Sequence, residues 1–135
     1  MGVKTIIDLQ EVNTLFAEYN FTEIIQTSYG TMDTTYIVKN EKSAYILKKY
    51  EREMGRKIET DQMLLKVLCV NGFNTPQFLC QKSEWYLYTK LKGESPSSVT
   101  LAQIQALARF MASFHNISRN FRFAEAFLNS YNIVR

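Results

Sequence analysis

The chain contains few of the residue types from which catalytic and metal-binding sites are most often built. Its 135 residues include one histidine, two cysteines, two prolines and one tryptophan. A single histidine and two cysteines without CxxC spacing do not match the usual ligand sets of a zinc site, and no motif around the histidine indicates a Ser/His/Asp triad. We therefore expect neither class of functional site.

Long apolar runs and a strong net charge are missing as well. No stretch approaches membrane-spanning length, and residues 1–12 lack the apolar core of a signal peptide. A net charge of +3 does not by itself indicate a nucleic-acid partner. Cys69 and Cys80 are predicted to be buried thiols in a reducing compartment. We therefore expect a cytoplasmic protein with no membrane or nucleic-acid partner.

Hydrophobic residues are abundant, at 46%, which is enough for one ordinary domain with a core. Residues 21–50 carry β-branched and aromatic side chains at period two, and this predicts three short strands. Gly30 lies in the first break and Lys48 near the end of the third strand. Such a pair can hold phosphate, because a glycine turn exposes N–H groups and the ammonium adds a charge. An ordinary β-meander can carry the same two residues, so both interpretations stay open.

The order of the predicted elements indicates an α+β fold. The elements are a helix over 9–19 with a capping box at Asp8 and Glu11, three strands in 21–50, a helix over 59–70 ended by Asn71-Gly72, strands over 77–81 and 85–90, and helices over 100–116 and 120–131. We predict a five-stranded, mostly antiparallel sheet with one inserted helix, preceded by a helix and followed by two helices. Residues 1–92 should form one lobe, 93–99 a linker, and 100–135 helices that begin a second lobe.

Two details of this prediction concern side-chain exposure. Met63, Leu64, Val67 and Leu68 are expected to form the buried stripe of the second helix. The charged link 51–57 is interpreted either as a solvated connector or as a rim that faces an anion.

Five motifs in order then resemble the amino-terminal lobe of the aminoglycoside phosphotransferase, choline kinase and homoserine kinase family. These are small-molecule kinases with a protein-kinase-like fold. The motifs are a Gly-x-x-Asn-x-x-Tyr-x-Val-like hairpin at 30–38, a Tyr-x-Leu-Lys strand at 45–48, a leucine-rich helix at 61–68 followed by Gly72 and Pro76, a hinge from 86 to 94, and a helix ending in Phe114-His115. The resemblance covers roughly residues 21–115.

The resemblance implies an ATP-binding site with magnesium as the accompanying metal. Residues Gly30, Thr31, Met32 and Asp33 would cover the phosphates, and Lys48 would bridge the α- and β-phosphates. Asp61 would hold Lys48 in place, and the adenine edge would meet the hinge backbone at Lys90, Leu91 and Lys92. The expected activity is transfer of phosphate to a hydroxyl of homoserine, choline or an aminoglycoside, with the acceptor bound by a second lobe.

The chain departs from the family pattern in three places. Asp33 replaces the usual Asn, and its carboxylate would repel phosphates unless a metal intervenes. Asp61 replaces the usual Glu, so its reach towards Lys48 is shorter by one methylene. The His-x-Asp-x-x-x-x-Asn loop and the second metal-binding Asp are absent, since His115 is followed by Asn116. We therefore expect no catalytic or metal-binding residue in these 135 residues, an inactive isolated chain, and a possible homodimer through the exposed carboxy-terminal helices.

Two other functions fit the sequence. One is a naturally short, non-catalytic nucleotide-binding or scaffold domain. The other is a sheet that binds single-stranded nucleic acid, in which strand aromatics stack on bases beside lysines. The aromatics in question are Tyr45, Trp85, Tyr86 and Tyr88.

Overall fold

The computed structural model describes residues 3–28, 32–52 and 57–119. These residues divide into two compact units. The first contains the described residues up to 52 together with Pro76–Lys90, and the second contains residues 57–75 and 91–119. The predicted helix over 120–131 lies outside the described residues.

The first unit begins with helix α1, Leu9–Leu15, which starts at the predicted capping box. The Asp8 carboxylate accepts the Glu11 N–H at 2.8 Å, and the Glu11 carboxylate accepts the Asp8 N–H at 2.9 Å. The chain then leaves the α-helix at Phe16, passes through a short 3-10 helix, Ala17–Tyr19, and turns at Asn20 with φ 49°. The predicted start is confirmed, whereas the predicted continuous helix to Tyr19 is wrong.

Five strands form one sheet in the order β1-β2-β3-β5-β4. Their bounds are β1 Glu23–Gln26, β2 Thr34–Lys39, β3 Ala44–Lys49, β4 Phe78–Lys82 and β5 Trp85–Thr89. All neighbouring pairs are antiparallel. Helix α2, Lys57–Val70, is inserted in sequence between β3 and β4, and helix α3, Leu101–Ser118, follows β5. The predicted α+β fold with one inserted helix is confirmed.

The core of the first unit lies on one face of this sheet. Alternate strand residues point to that face, as period two requires, and the amino-terminal segment with α1 covers them. The buried cluster consists of Ile7, Val12, Phe16, Phe21, Tyr36, Val38, Leu47, Trp85 and Leu87. Because Leu47 points into the core, the adjacent Lys48 side chain leaves β3 on the opposite face of the sheet.

The second unit contains α2 and α3. Helix α2 ends as predicted, with Gly72 at φ 86° and the Phe73 N–H donating to the carbonyl of Leu68 at 3.0 Å. Leu68 is buried, but Met63 is 57% exposed, so the predicted buried stripe is wrong at Met63. Cys69 is also exposed, which contradicts its prediction as a buried thiol.

Helix α3 begins at the capping box that the sequence predicts, formed by Thr100 and Gln103. The Phe73 and Phe110 rings meet edge to face with centroids 5.2 Å apart. Apolar side chains along α3 nevertheless remain exposed: Leu101, Ile104, Leu107, Phe110 and Met111. No helix within the described residues is both long and apolar enough to cross a bilayer.

Candidate functional site

The β2–β3 hairpin brings two of the predicted site residues together. Asp33 is the residue before β2, and Lys48 on β3 is opposite Thr35 of β2 in the strand register. Since Asp33 and Thr35 are two residues apart, their side chains leave the same face of the sheet as Lys48. Lys48 Nζ lies 3.6 Å from Asp33 Oδ2, and the two side chains are 31% and 12% exposed.

Asp33 has further partners that compensate its charge. The Glu51 backbone N–H donates to Asp33 Oδ1 at 3.2 Å, and Arg52 Nε lies 4.0 Å from the same oxygen. Two cations and an N–H therefore surround a carboxylate that has little contact with water. Each ion pair at this exposure contributes about 1 kcal/mol or less to stability, so the arrangement orders the side chains more than it stabilises the fold.

The Lys48 ammonium also lies over an aromatic ring. Its Nζ is 4.5 Å from the centroid of the Tyr50 ring, within the range of a cation–π interaction. The Tyr50 hydroxyl is 3.0 Å from the Tyr88 hydroxyl, which fixes the ring on β5. Tyr86, the partner of Lys48 in the β3–β5 register, meets the Tyr50 ring edge to face at 5.2 Å. The ammonium is thus held between a carboxylate and a tyrosine.

Glu51 turns its side chain to the other face of the sheet. Its Oε1 accepts the Thr34 hydroxyl at 2.6 Å and the Thr5 hydroxyl at 2.5 Å. These two hydrogen bonds hold the pKa of the Glu51 carboxyl below its usual 4.5, and the positive charges of Lys49 and Lys4 act in the same direction. Burial of the carboxyl opposes this shift. Glu51 is therefore an ionised acceptor at neutral pH.

The other predicted site residues are distributed between the two units. Gly30 and Thr31 lie outside the described residues. Met32 is 48% exposed beside Asp33, and Lys90 closes the first unit. Asp61 on α2, together with Leu91 and Lys92, belongs to the second unit. The Asp33–Lys48 pair is a contact between two predicted site residues within the first unit, and the role of each residue stays a prediction.

Sequence reasoning missed the partners that surround this pair. The charge of residues 51–57 indicates either a solvated connector or a rim that faces an anion, but it does not indicate that Glu51 and Arg52 both contact Asp33. The signal that could have found these partners is the alternation of side chains along β3, continued past the end of the strand. Period two places Tyr50 on the face of Lys48 and Glu51 on the face of Thr34.

A separate concavity of about 420 Å³ lies at the far end of the hairpin, around Tyr19, Asn40 and Tyr45. Neither Asp33 nor Lys48 lines it. Burial, with the Cys80 thiol 3.8 Å from its hydroxyl, raises the pKa of Tyr19 to about 12, so this phenol is neutral at physiological pH. Because neither Asp33 nor Lys48 lines the concavity, it is distinct from the Lys48 site.

The described residues contain no group of three or more His, Cys, Asp or Glu side chains that could hold a metal ion. Asp33 is the carboxylate closest to Lys48 among the ion pairs of this unit, and it is already engaged by Glu51 and Arg52. The donor set around Lys48 thus suits an anion, and it does not by itself suit a magnesium ion.

One known protein family matches most of the chain. The model of the phosphotransferase enzyme family matches residues 23–132, a stretch that includes Asp33 and Lys48. The chain belongs to the phosphotransferase enzyme family. No curated protein sequence matches it. The resemblance seen in the motifs is thus confirmed for the phosphotransferase family, whereas the choice among its homoserine, choline and aminoglycoside branches stays a prediction.

Proposed function

We propose that this phosphotransferase-family chain holds ATP for transfer of a phosphoryl group to a hydroxyl of a small molecule. The single observation that carries the proposal is the Lys48 ammonium, held 3.6 Å from Asp33 and over Tyr50 on the face opposite the core. A partly exposed, oriented ammonium is suited to donate hydrogen bonds to phosphate oxygens. Lys48 lies in a hairpin within the stretch that matches the family, and the proposed ligand is therefore a nucleoside triphosphate.

The residues around Lys48 fit an anionic ligand. Lys48 retains 31% of its side-chain exposure, and Arg52 retains 49%, so both cations can reach a ligand while they contact Asp33. ATP, when bound, supplies the phosphoryl group. In the proposal, Lys48 contacts the α- and β-phosphates, residues 30–33 cover them, and the backbone at 90–92 meets the adenine edge.

Phosphoryl transfer needs a base and metal ligands besides the nucleotide-holding residues. No His-x-Asp-x-x-x-x-Asn sequence occurs in the 135 residues. We therefore assign binding and orientation of ATP to this chain, and we assign the base, the magnesium ligands and the acceptor site to a second lobe. The acceptor is a homoserine, choline or aminoglycoside type of hydroxyl compound. The compartment proposed for this activity is the cytoplasm.

Calorimetric titration with ATP and magnesium tests the nucleotide proposal. Lys48→Ala should weaken ATP binding about tenfold, the equivalent of about 1.4 kcal/mol. Lys39→Ala is the matched control, because Lys39 is also a strand lysine in an ion pair, 3.8 Å from Glu23 on the neighbouring strand. Equal ATP affinities of the two variants would show that Lys48 is not the phosphate ligand.

A second candidate is a non-catalytic nucleotide-binding or scaffold domain. The observation in its favour is Asp33, which stands where the family usually has Asn. Its carboxylate already forms an ion pair with Lys48. Sequencing beyond codon 135 separates the candidates, since an in-frame His-x-Asp-x-x-x-x-Asn supports the enzyme and a stop codon supports the scaffold. For the nucleic-acid alternative, two of the four aromatics, Trp85 and Tyr88, are each only 7% exposed, which leaves little of these rings for stacking on bases.

A further inference from the structure

Three consecutive residues after β3 contact the Lys48–Asp33 pair. Tyr50 places its ring under the ammonium, Glu51 donates its backbone N–H to Asp33, and Arg52 places its guanidinium near the same carboxylate. The position of this short segment, 50–52, therefore determines how the pair is held. The Tyr50 hydroxyl contacts Tyr88 at one end of the segment, and the Glu51 side chain, which points away from the pair, anchors its middle residue.

The Glu51 carboxylate is bound to the amino-terminal segment and to β2. One hydrogen bond comes from Thr5, which precedes α1, and the other comes from Thr34 at the start of β2. Thr34 is fully buried and uses its whole hydrogen-bonding capacity, since its hydroxyl also accepts the N–H groups of Lys4 at 2.8 Å and Thr5 at 3.0 Å.

A second bond holds the same amino-terminal segment. The hydroxyl of Tyr36, which is 1% exposed, donates to the Thr5 carbonyl at 3.0 Å. The segment is therefore attached to the sheet independently of Glu51. It can act as a fixed support for the Glu51 carboxylate rather than as a loose end that Glu51 must order.

We infer that Glu51 is a positioning residue that couples Thr5 of the amino-terminal segment to the orientation of Lys48. Its carboxylate is anchored by two hydroxyls on one face of the sheet, and its N–H holds Asp33 on the other. The importance of this coupling for nucleotide binding rests on the proposed function, whereas the coupling itself does not.

The physical basis is the strength and direction of the two hydroxyl bonds. Hydrogen bonds to an ionised carboxylate are about twice as strong as neutral ones, and here two hydroxyls donate to the same oxygen, Oε1 of Glu51. When they are lost, the Glu51 side chain no longer anchors the backbone of residue 51, which lies beyond Lys49, the last β3 residue in the printed register. The Asp33 carboxylate then loses an oriented N–H donor, and Lys48 is held less firmly.

The test compares Thr5→Val with Thr5→Ser in the ligand-free chain. Valine keeps the shape of threonine without the hydroxyl, and serine keeps the hydroxyl. The measurement is the rate of acylation of each lysine by acetic anhydride, mapped by peptide mass spectrometry, with Lys39 as the internal reference. We expect the Lys48-to-Lys39 rate ratio to rise about threefold in Thr5→Val, the equivalent of about 0.7 kcal/mol, and to stay at the wild-type value in Thr5→Ser.

Glu51→Gln provides a second variant in case Thr5→Val fails to fold. It keeps the side-chain shape and weakens both hydroxyl bonds, so the same increase in the ratio is expected. An unchanged ratio in a folded Thr5→Val or Glu51→Gln chain, with folding checked by circular dichroism, overturns the inference.

An ATP titration of the same proteins separates this inference from the proposed function. A raised acylation ratio together with weaker ATP binding in Thr5→Val supports both. A raised ratio in a chain whose wild type binds no ATP leaves the coupling supported and rejects the proposed function. Undiminished ATP affinity of Thr5→Val alongside an unchanged ratio rejects the coupling and leaves the proposed function intact.

Discussion

Lys48 on β3 and Asp33, the residue before β2, meet across one hairpin with Nζ and Oδ2 3.6 Å apart, and the carboxylate is the less exposed partner. The ion pair places a negative charge beside the ammonium that is proposed to bind phosphate. The same carboxylate also orients that ammonium, together with the Tyr50 ring. Asp33 therefore has two opposing effects on an anionic ligand, and they can be separated by substitution.

Asp33→Asn should tighten ATP binding. The amide oxygen still accepts the Glu51 N–H, whereas the negative charge that repels phosphate is removed. With the dielectric constant of water, removing one such charge about 4 Å from a phosphate is worth about 1 kcal/mol, or roughly fivefold in affinity. Glu23→Gln, which removes the acidic partner of Lys39, is the control and should leave the ATP affinity unchanged. Weaker binding by Asp33→Asn would mean that orientation outweighs repulsion.

Tyr50 should contribute to Lys48 through its ring and to stability through its hydroxyl. Tyr50→Phe removes the hydroxyl that contacts Tyr88 and keeps the ring, so we expect the free energy of unfolding to fall by about 1 kcal/mol with little change in ATP affinity. Tyr50→Leu also removes the ring under the ammonium and should weaken ATP binding about threefold. Urea unfolding and calorimetry measure the two effects, and equal ATP affinities of the Phe and Leu variants would contradict the cation–π contribution.

The hydrogen bonds to Glu51 should make stability depend on pH. The folded pKa of this carboxyl lies below its ordinary value of 4.5, so its ionised form stabilises the folded state above that value. This contribution is lost as the pH falls through the lowered folded pKa. The charged groups that act on it are Lys49 and Lys4, both favouring ionisation.

The measurement is urea unfolding of wild type and Glu51→Gln at about pH 7 and about pH 3. Wild type should be more stable than the variant at the higher pH, and the difference should shrink at the lower one. A difference that stays constant between the two pH values would show that the Glu51 charge does not contribute.

The exposed apolar side chains of α3 predict self-association at high concentration. Ile104 and Leu107 are 53% and 57% exposed, and contiguous apolar patches of this kind favour association. Light scattering should detect a dimer of the wild-type chain, and Leu107→Lys should shift it towards monomer. Lys66→Ala, an exposed position on α2, serves as the control. A wild-type chain that is monomeric at millimolar concentration would remove the basis for a homodimer.

Much of the fold could be predicted because its signals are local. The capping boxes at Asp8 and Thr100 each need only residues three positions apart, and both are confirmed. The turn at Gly72 requires positive φ, which glycine adopts without a steric penalty. Alternation along β2 and β3 was enough to predict a hairpin, although the exact partners of Lys48 were not predictable from it.

The failures concern contacts between distant parts of the chain. The helix predicted to reach Tyr19 ends early at Phe16, whose side chain is fully buried in the core of the first unit. Met63 fits a helical stripe by spacing and is nevertheless 57% exposed, because burial depends on which face of α2 is covered. Such features are set by packing, and periodicity does not report packing.

The amino-acid sequence by itself determined the element order, the helix starts and the family motifs, since each of these depends on residues close together in the chain. Only the tertiary structure decided that Glu51 joins Thr5 and Thr34, and that Asp33 holds Lys48. The reason is physical. The sequence does not indicate which partner a given carboxylate or hydroxyl contacts, because these contacts exist only after the strands have paired.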